Sequence, residues 1–264
     1  MTGLDRTKLL AARYRAATDR PYLASALYSL TVVASERVPT MAVDRHWRCY
    51  ASPAFVAATP VPELAGVWIH EVSHLLRDHH GRAARLPAAE QRDHFRVNAA
   101  QDCEINDDLV ADGLPLPAGR VVPGDFGLPD GRTFEEYLPG VPPGPAHDCG
   151  SGAHASGAVG PGRDGRSVRR PGRGGRAERR ATAEVIRAHR RARGDVPGGW
   201  LRWAEGVLEP VVDWRRVLAG AVREASRGRA RAVDYTYRRP SAAPRRCAAR
   251  CCRACAAPCP ASRS

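Results

Sequence analysis

Long apolar runs are missing from this sequence. Nowhere do about 18 apolar residues stand together, so no membrane-spanning helix is expected. The first fifteen residues, MTGLDRTKLLAARYR, contain no apolar block of the kind a secretory signal needs. A cytoplasmic location is therefore the expectation. Lysine is almost absent, Lys8 being the exception among 41 basic residues. That bias towards arginine, with abundant alanine, glycine and proline, points to GC-rich coding more than to a surface shaped for a partner. Residues 160–194 contain no Phe, Tyr or Trp, so their arginines have nothing on which to stack a base. No specific nucleic-acid binding is expected, and the run reads as a solvated charge cluster.

What is present is unevenly distributed. Residues 1–150 hold 15 basic and 19 acidic side chains, so the net charge of +13 belongs to the remainder. Cys49, Cys103 and Cys149 are scattered, as in a reduced protein, whereas Cys247, Cys251, Cys252, Cys255 and Cys259 crowd the last eighteen residues. Those five lack paired knuckle spacing and any apolar residue to build a small core around a metal.

Apolar spacing predicts helices over 5–18 and 21–30, extended structure with a turn near Pro39 over 31–52, and helices at about 62–80 and 91–110. Thr133 opens a short helix over TFEEYL. The organisation read from composition is a domain over 1–138, a Gly/Pro/Arg-rich linker over 139–179, a helical segment over 180–240 that packs on or extends the first domain, and a disordered tail over 241–264. Within the third segment, helical signals cover 180–193 and about 198–227, with Trp200, Trp203 and Trp214 at core spacing. The fold class is α+β, mostly helical with a small sheet.

One segment, VWIHEVSHLLRDHH, gathers four of the nine histidines. His70-Glu71-Val72-Ser73-His74 is an H-E-x-x-H motif, which on a helix sets two imidazoles on one face and the glutamate about 100° round. His70 and His74 are candidate metal ligands, and Glu71 is the candidate base for a water held beside them. Trp68, Ile69, Val72, Leu75 and Leu76 cover the opposite side. Continued as a helix, the segment carries His79 and His80 away from the pair. His80 has the spacing of a third ligand in H-E-x-x-H-x-x-G-x-x-H sites, but Arg77 stands where that pattern needs a turning glycine. With only Met1 and Met41 in the chain, a later methionine turn is excluded too.

Asp102 is the best third ligand. It lies within an apolar stripe of Phe95, Ala99, Ile105 and Leu109, where a carboxylate is costly unless paired or metal-bound. The competing reading is a buried cap or salt-bridge acid. Glu104, Asp107 and Asp108 point elsewhere, His94 reads as a surface residue, and Asn98 and Asn106 flank Asp102 one turn away on either side. Ser/His/Asp chemistry has no support, since GSGAH (150–154) lacks the setting of a nucleophile elbow.

HEVSHLLRDHHGR, VNAAQDCEINDDL, GSGAH and VVDWRRVLAGAV…VDYTYRRPS together resemble the predicted metallopeptidase domain of bacterial proteins that carry a C-terminal von Willebrand factor A-like domain. The resemblance implies a zincin-like fold, Zn2+ held by His70, His74 and Asp102, and a peptide or protein substrate. It also implies a partner, an AAA+ ATPase of the MoxR kind. The A-like domain is expected after YRRPS. The Arg/Ala/Cys/Pro run found there instead reads as a truncated or frameshifted product. Two functions follow as expectations: a zinc metallopeptidase acting through a metal-activated water, and alternatively a non-catalytic zincin-like module assembling with the ATPase. Extended residues 40–51 are placed to align a substrate strand, and no residue for oxyanion stabilisation can be named.

Overall fold

A computed structural model describes residues 3–143, 175–193, 196–209, 218–219 and 222–223. Asp5 starts the first helix, α1 (Arg6–Asp19), by accepting the Lys8 amide at 2.9 Å, the usual role of an N-cap carboxylate. A 3-10 turn at Pro21–Leu23 leads into α2 (Ala24–Ser29). Arg13 is buried under these helices. Its guanidinium donates to the Leu27 and Leu30 carbonyls and stacks 4.9 Å from the rings of Tyr28 and Trp68.

Three short strands follow, β1 (Thr31–Ala34), β2 (Met41–Val43) and β3 (Arg48–Ala51), in the order β1-β3-β2. β1 runs parallel to β3 and β2 antiparallel to it, which leaves β2 at an edge. Asp44 closes the β2–β3 turn by accepting from the amides of His46 and Arg48, with Trp47 in the left-handed region at φ 62°.

After α3 (Pro53–Ala58), Pro60 and Pro62 bracket the start of α4 (Val61–Leu76), where a missing N–H costs nothing. From Leu64 to Leu76 every residue of α4 is buried except half-buried His70. Leu64, Ile69 and Val72 are fully buried, at about 2 kcal/mol each. That outweighs the roughly 1 kcal/mol a helix loses at an interior glycine such as Gly66. α5 (His79–Ala83), α6 (Ala88–Gln91), α7 (His94–Ala111) and α8 (Phe134–Tyr137) complete this part, and α9 (Gly175–Arg193) and α10 (Gly198–Leu208) pack beside it.

One apolar core joins α1, α2, the sheet, α4, α9 and α10, and includes Ala183, Ile186 and Trp200. A second, under α5, α7 and α8, centres on Val97, Cys103, Phe134 and Tyr137 and reaches Val141. α7 runs between the two, giving Ile105 and Leu109 to the first. α9 and α10 also finish α4: Trp203 donates to the Leu76 carbonyl at 3.2 Å, and Arg179 adds a 3.4 Å bond to the Leu75 carbonyl that the Asp78 amide already reaches.

The predicted α+β class is the one observed. Three boundaries differ. The helix expected to run to residue 80 stops at Leu76, because Asp78 adopts a left-handed conformation (φ 56°) and restarts the chain as α5. The later helices span 175–193 and 198–208, so the first starts five residues earlier than expected and the second, expected to reach about 227, ends at Leu208, where Glu209 is extended. Residues 210–264 form a separate unit, in which 218–219 and 222–223 are helical. GSGAH, Trp214 and the cysteine-rich tail lie outside the described residues. No described helix is long and apolar enough to cross a membrane.

Candidate metal centre

α4 and α7 pack with their polar lines facing each other. His70 Nε2 and His74 Nε2 come within 3.0 Å, and Asp102 Oδ1 stands 3.5 Å from the first and 3.3 Å from the second. Among the described residues this is the group of three or more metal-ligating side chains that converges on one point. Two imidazoles and a carboxylate around an ion at zinc-like bond lengths of about 2.0–2.1 Å lie roughly 3.3 Å apart in a tetrahedral arrangement. The observed triangle has that size.

The hydrogen bonding around it also fits a cation. Asn106 Nδ2 donates to the Val121 carbonyl at 2.8 Å, which turns its Oδ1 towards His70 Nδ1, also at 2.8 Å. Oδ1 can only accept, so Nδ1 of His70 carries a proton, and the neutral ring would turn its Nε2 lone pair inward. Asp102 Oδ1 is buried and faces the two imidazole nitrogens at 3.3–3.5 Å, with no closer donor among the described residues. Electron-rich atoms aimed at one another in a buried place need a positive charge between them.

Titration behaviour reflects the same arrangement. Burial opposes charge on His70, but hydrogen bonding and attraction from Asp102, with help from Glu71 and Asn106, push it up to about 9. Burial pulls His74 down to about 3, Asp102 opposing and the neighbouring His70 and His79 adding. Asp102 stays well below the usual carboxylate range despite its burial, through the two imidazoles. Glu71 is raised to about 8 by burial, with His70 opposing and Asp102 adding.

His70, Glu71, Asp102 and Asn106 line a cleft of about 170 Å³. Its walls come from Thr40 and Met41 at the start of β2, from Phe55 and Val67, and from the loop Leu116–Val121. His74 is 1% exposed and sits deeper than its partner.

The candidates named from sequence are thus divided. His70, His74 and Asp102 meet, Glu71 opens on the same cleft, and Asn106 holds His70. Asn98 is buried, but its Oδ1 finds no hydrogen-bond partner among the described residues. His80 is half-buried on α5 and His94 is exposed at the start of α7, and neither joins the triangle.

One residue was misplaced by extending the helix past Leu76. His79 is turned back by Asp78 and lies fully buried, its Nδ1 3.0 Å from His74 Nδ1. The sharp turn that Arg77 seemed to forbid occurs one residue later. Glu104 does point away from Asp102, and it is buried behind the site, where its carboxylate accepts from both terminal nitrogens of Arg82 at 2.9 Å and from the Phe134 amide at 2.7 Å. The available signal was Asp-His-His-Gly at 78–81, since Asp tolerates the left-handed region and Gly81 leaves space against the Asp78 carboxylate.

Residues 5–256 match the model of a protein family described as "Putative metallopeptidase domain". No curated protein and no solved structure gives a match. With nearly the whole chain inside the family match and a convergent His/His/Asp group at its centre, the protein belongs to this metallopeptidase-like family.

Proposed function

We propose that the chain is a zinc-dependent peptidase whose ligands are His70, His74 and Asp102 and whose base is Glu71. The observation that carries this reading is the triangle of Nε2, Nε2 and Oδ1 atoms, 3.0–3.5 Å on each edge, with a lone carboxylate oxygen in it. A His₂-carboxylate set is a donor combination of catalytic zinc sites, leaving one position for water or substrate.

A divalent cation bound there supplies Lewis acidity, acidifying a water molecule and polarising a peptide carbonyl. The rest falls to the protein. In its carboxylate form Glu71 accepts a water proton on Oε and returns it to the departing amine; burial holds its carboxyl at about 8, and a cation beside it would favour the ionised form. Asp102 and Asn106 keep the imidazoles aimed. The edge position of β2, beside a cleft that Thr40 and Met41 line, suits an extended peptide laid along it as an added strand. An AAA+ ATPase of the MoxR kind is the proposed partner, on the family resemblance.

Metal analysis of purified wild type, His74→Ala and Asp102→Ala, with peptide-library hydrolysis by wild type and Glu71→Gln, tests the proposal. Glu71→Gln should retain zinc and lose turnover by at least about 100-fold. Unchanged zinc content in Asp102→Ala removes that residue from the ligand set. Zinc-loaded wild type that cleaves nothing leaves a binding module.

A further inference from the structure

Behind the triangle, on the side away from the cleft, lies a buried chain of groups that the proposed hydrolysis does not use. His74 Nδ1 faces His79 Nδ1 at 3.0 Å, and His79 Nε2 faces Glu104 Oε2 at 3.5 Å. Glu104 is held in turn by Arg82 at 2.9 Å and by Arg77, whose guanidinium also donates to the Glu104 carbonyl. His79 is 0% exposed, its ring packs edge-on against Phe134 at 5.5 Å between centroids, and Gln101 donates to its carbonyl at 3.4 Å. The ring has no room to turn.

Two facing Nδ1 atoms can share only one proton, so one imidazole donates and the other accepts. Their distance does not say which. Glu104 does, because a carboxylate between two guanidinium groups is an acceptor only. His79 Nε2 lies 3.5 Å from it with no closer hydrogen-bond partner among the described residues, so the carboxylate charge favours the His79 proton on Nε2. His79 Nδ1 is then a bare lone pair, which accepts from His74 Nδ1–H. His74 Nε2 in turn carries its lone pair into the triangle.

We propose that His79 and Glu104 are positioning residues that set the tautomer of His74, leaving its Nε2 free to bind a metal. The arrangement parallels Asn106 and the Val121 carbonyl behind His70, so each imidazole has its own support. This inference rests on the reading of His74 as a ligand, but its tautomer claim concerns the metal-free protein.

The test uses the full chain labelled with ¹⁵N-histidine. Long-range ¹H–¹⁵N spectra of the metal-free wild type should show His74 protonated on Nδ1. His79→Leu removes the acceptor and should convert His74 wholly or partly to the Nε2-protonated form. His79→Asn, which restores an oxygen near the Nδ1 position, should keep the wild-type pattern. Zinc affinity, from competition with a chromophoric chelator, should fall about 10- to 100-fold in His79→Leu and within about threefold of wild type in His79→Asn. A wild-type His74 protonated on Nε2 overturns the proposal, and that spectrum decides even if His79→Leu does not fold. A folded His79→Leu with unchanged tautomer and zinc affinity also overturns it. Wild type that binds no zinc defeats the peptidase reading instead, and the spectra still decide the tautomer.

Discussion

His74 and His79 hold their Nδ1 atoms 3.0 Å apart across a chain reversal that turns on one left-handed residue, Asp78. A side chain at φ 56° is strained unless it is glycine or a short polar residue. Asp78→Gly relieves that strain while losing the 3.1 Å contact to Arg179, and should stay within about 1 kcal/mol of wild type. Asp78→Val should cost about 2 kcal/mol in urea denaturation and weaken zinc binding by freeing His79. Equal stability of the two variants would show that the turn does not depend on this residue.

Gly66 gives a prediction of opposite sign to helix propensity. In an open helix Ala is favoured over Gly by about 1 kcal/mol. Here a Cβ would stand 2.0 Å from the Pro115 carbonyl oxygen and 3.1 Å from Leu116 Cδ2. Gly66→Ala should therefore destabilise by about 2 kcal/mol and shift the loop that walls the cleft. A thermal melt checks the first effect and zinc affinity the second, since Val121 on that loop orients Asn106.

Metal affinity should depend on pH through His70. Its proton is retained up to about 9, against an ordinary value of 6.5, and an incoming cation must displace it. Below that pKa, binding releases one proton, so affinity should rise about tenfold per pH unit, and should still rise between pH 7.5 and 8.5. Competition titrations at constant ionic strength measure the slope. A plateau above pH 7 counts against this role for Asp102.

Acid stability should depend on Glu104. Burial raises its pKa, but His79 and Arg82 more than offset this, and the folded value lies well below the reference of 4.5. A carboxylate depressed on folding stabilises above its unfolded pKa and loses that contribution as pH falls through the folded value. Glu104→Gln should be about 3 kcal/mol less stable than wild type at pH 7. Below pH 4.5 the difference should narrow. Urea midpoints between pH 2.5 and 7 test this, and a constant gap would remove Glu104 as the cause.

The pairing of His70 with His74 and the choice of Asp102 could be read from sequence because both follow from helix geometry and from the cost of a carboxylate among apolar residues. Extended structure between residues 31 and 52 was legible from β-branched and aromatic residues around a proline. His79 and Glu104 were not, and for one physical reason: a single change of φ at Asp78 rotates everything after it, while periodicity assumes an unbroken axis. Once α5 leaves that axis, the histidine assigned to the far face arrives at the near one. Glu104 then has a partner that no spacing within α7 could indicate. The early start of α9 escaped for a related reason, since Glu178 is anchored by Ser25, at 2.8 Å, far back in the chain.

Ala183, Ile186, Val196, Trp200 and Ala204 share a core with Trp68 and Ile69, and Trp203 and Arg179 finish the very helix that carries both imidazoles. A fragment ending at Pro143 would leave those tryptophan-covered surfaces wet and take from the Leu76 carbonyl of α4 its Trp203 donor. Constructing a minimal version of this protein by keeping only the histidine-bearing half should therefore yield aggregates. Supplying residues 175–209 on a separate polypeptide should rescue it.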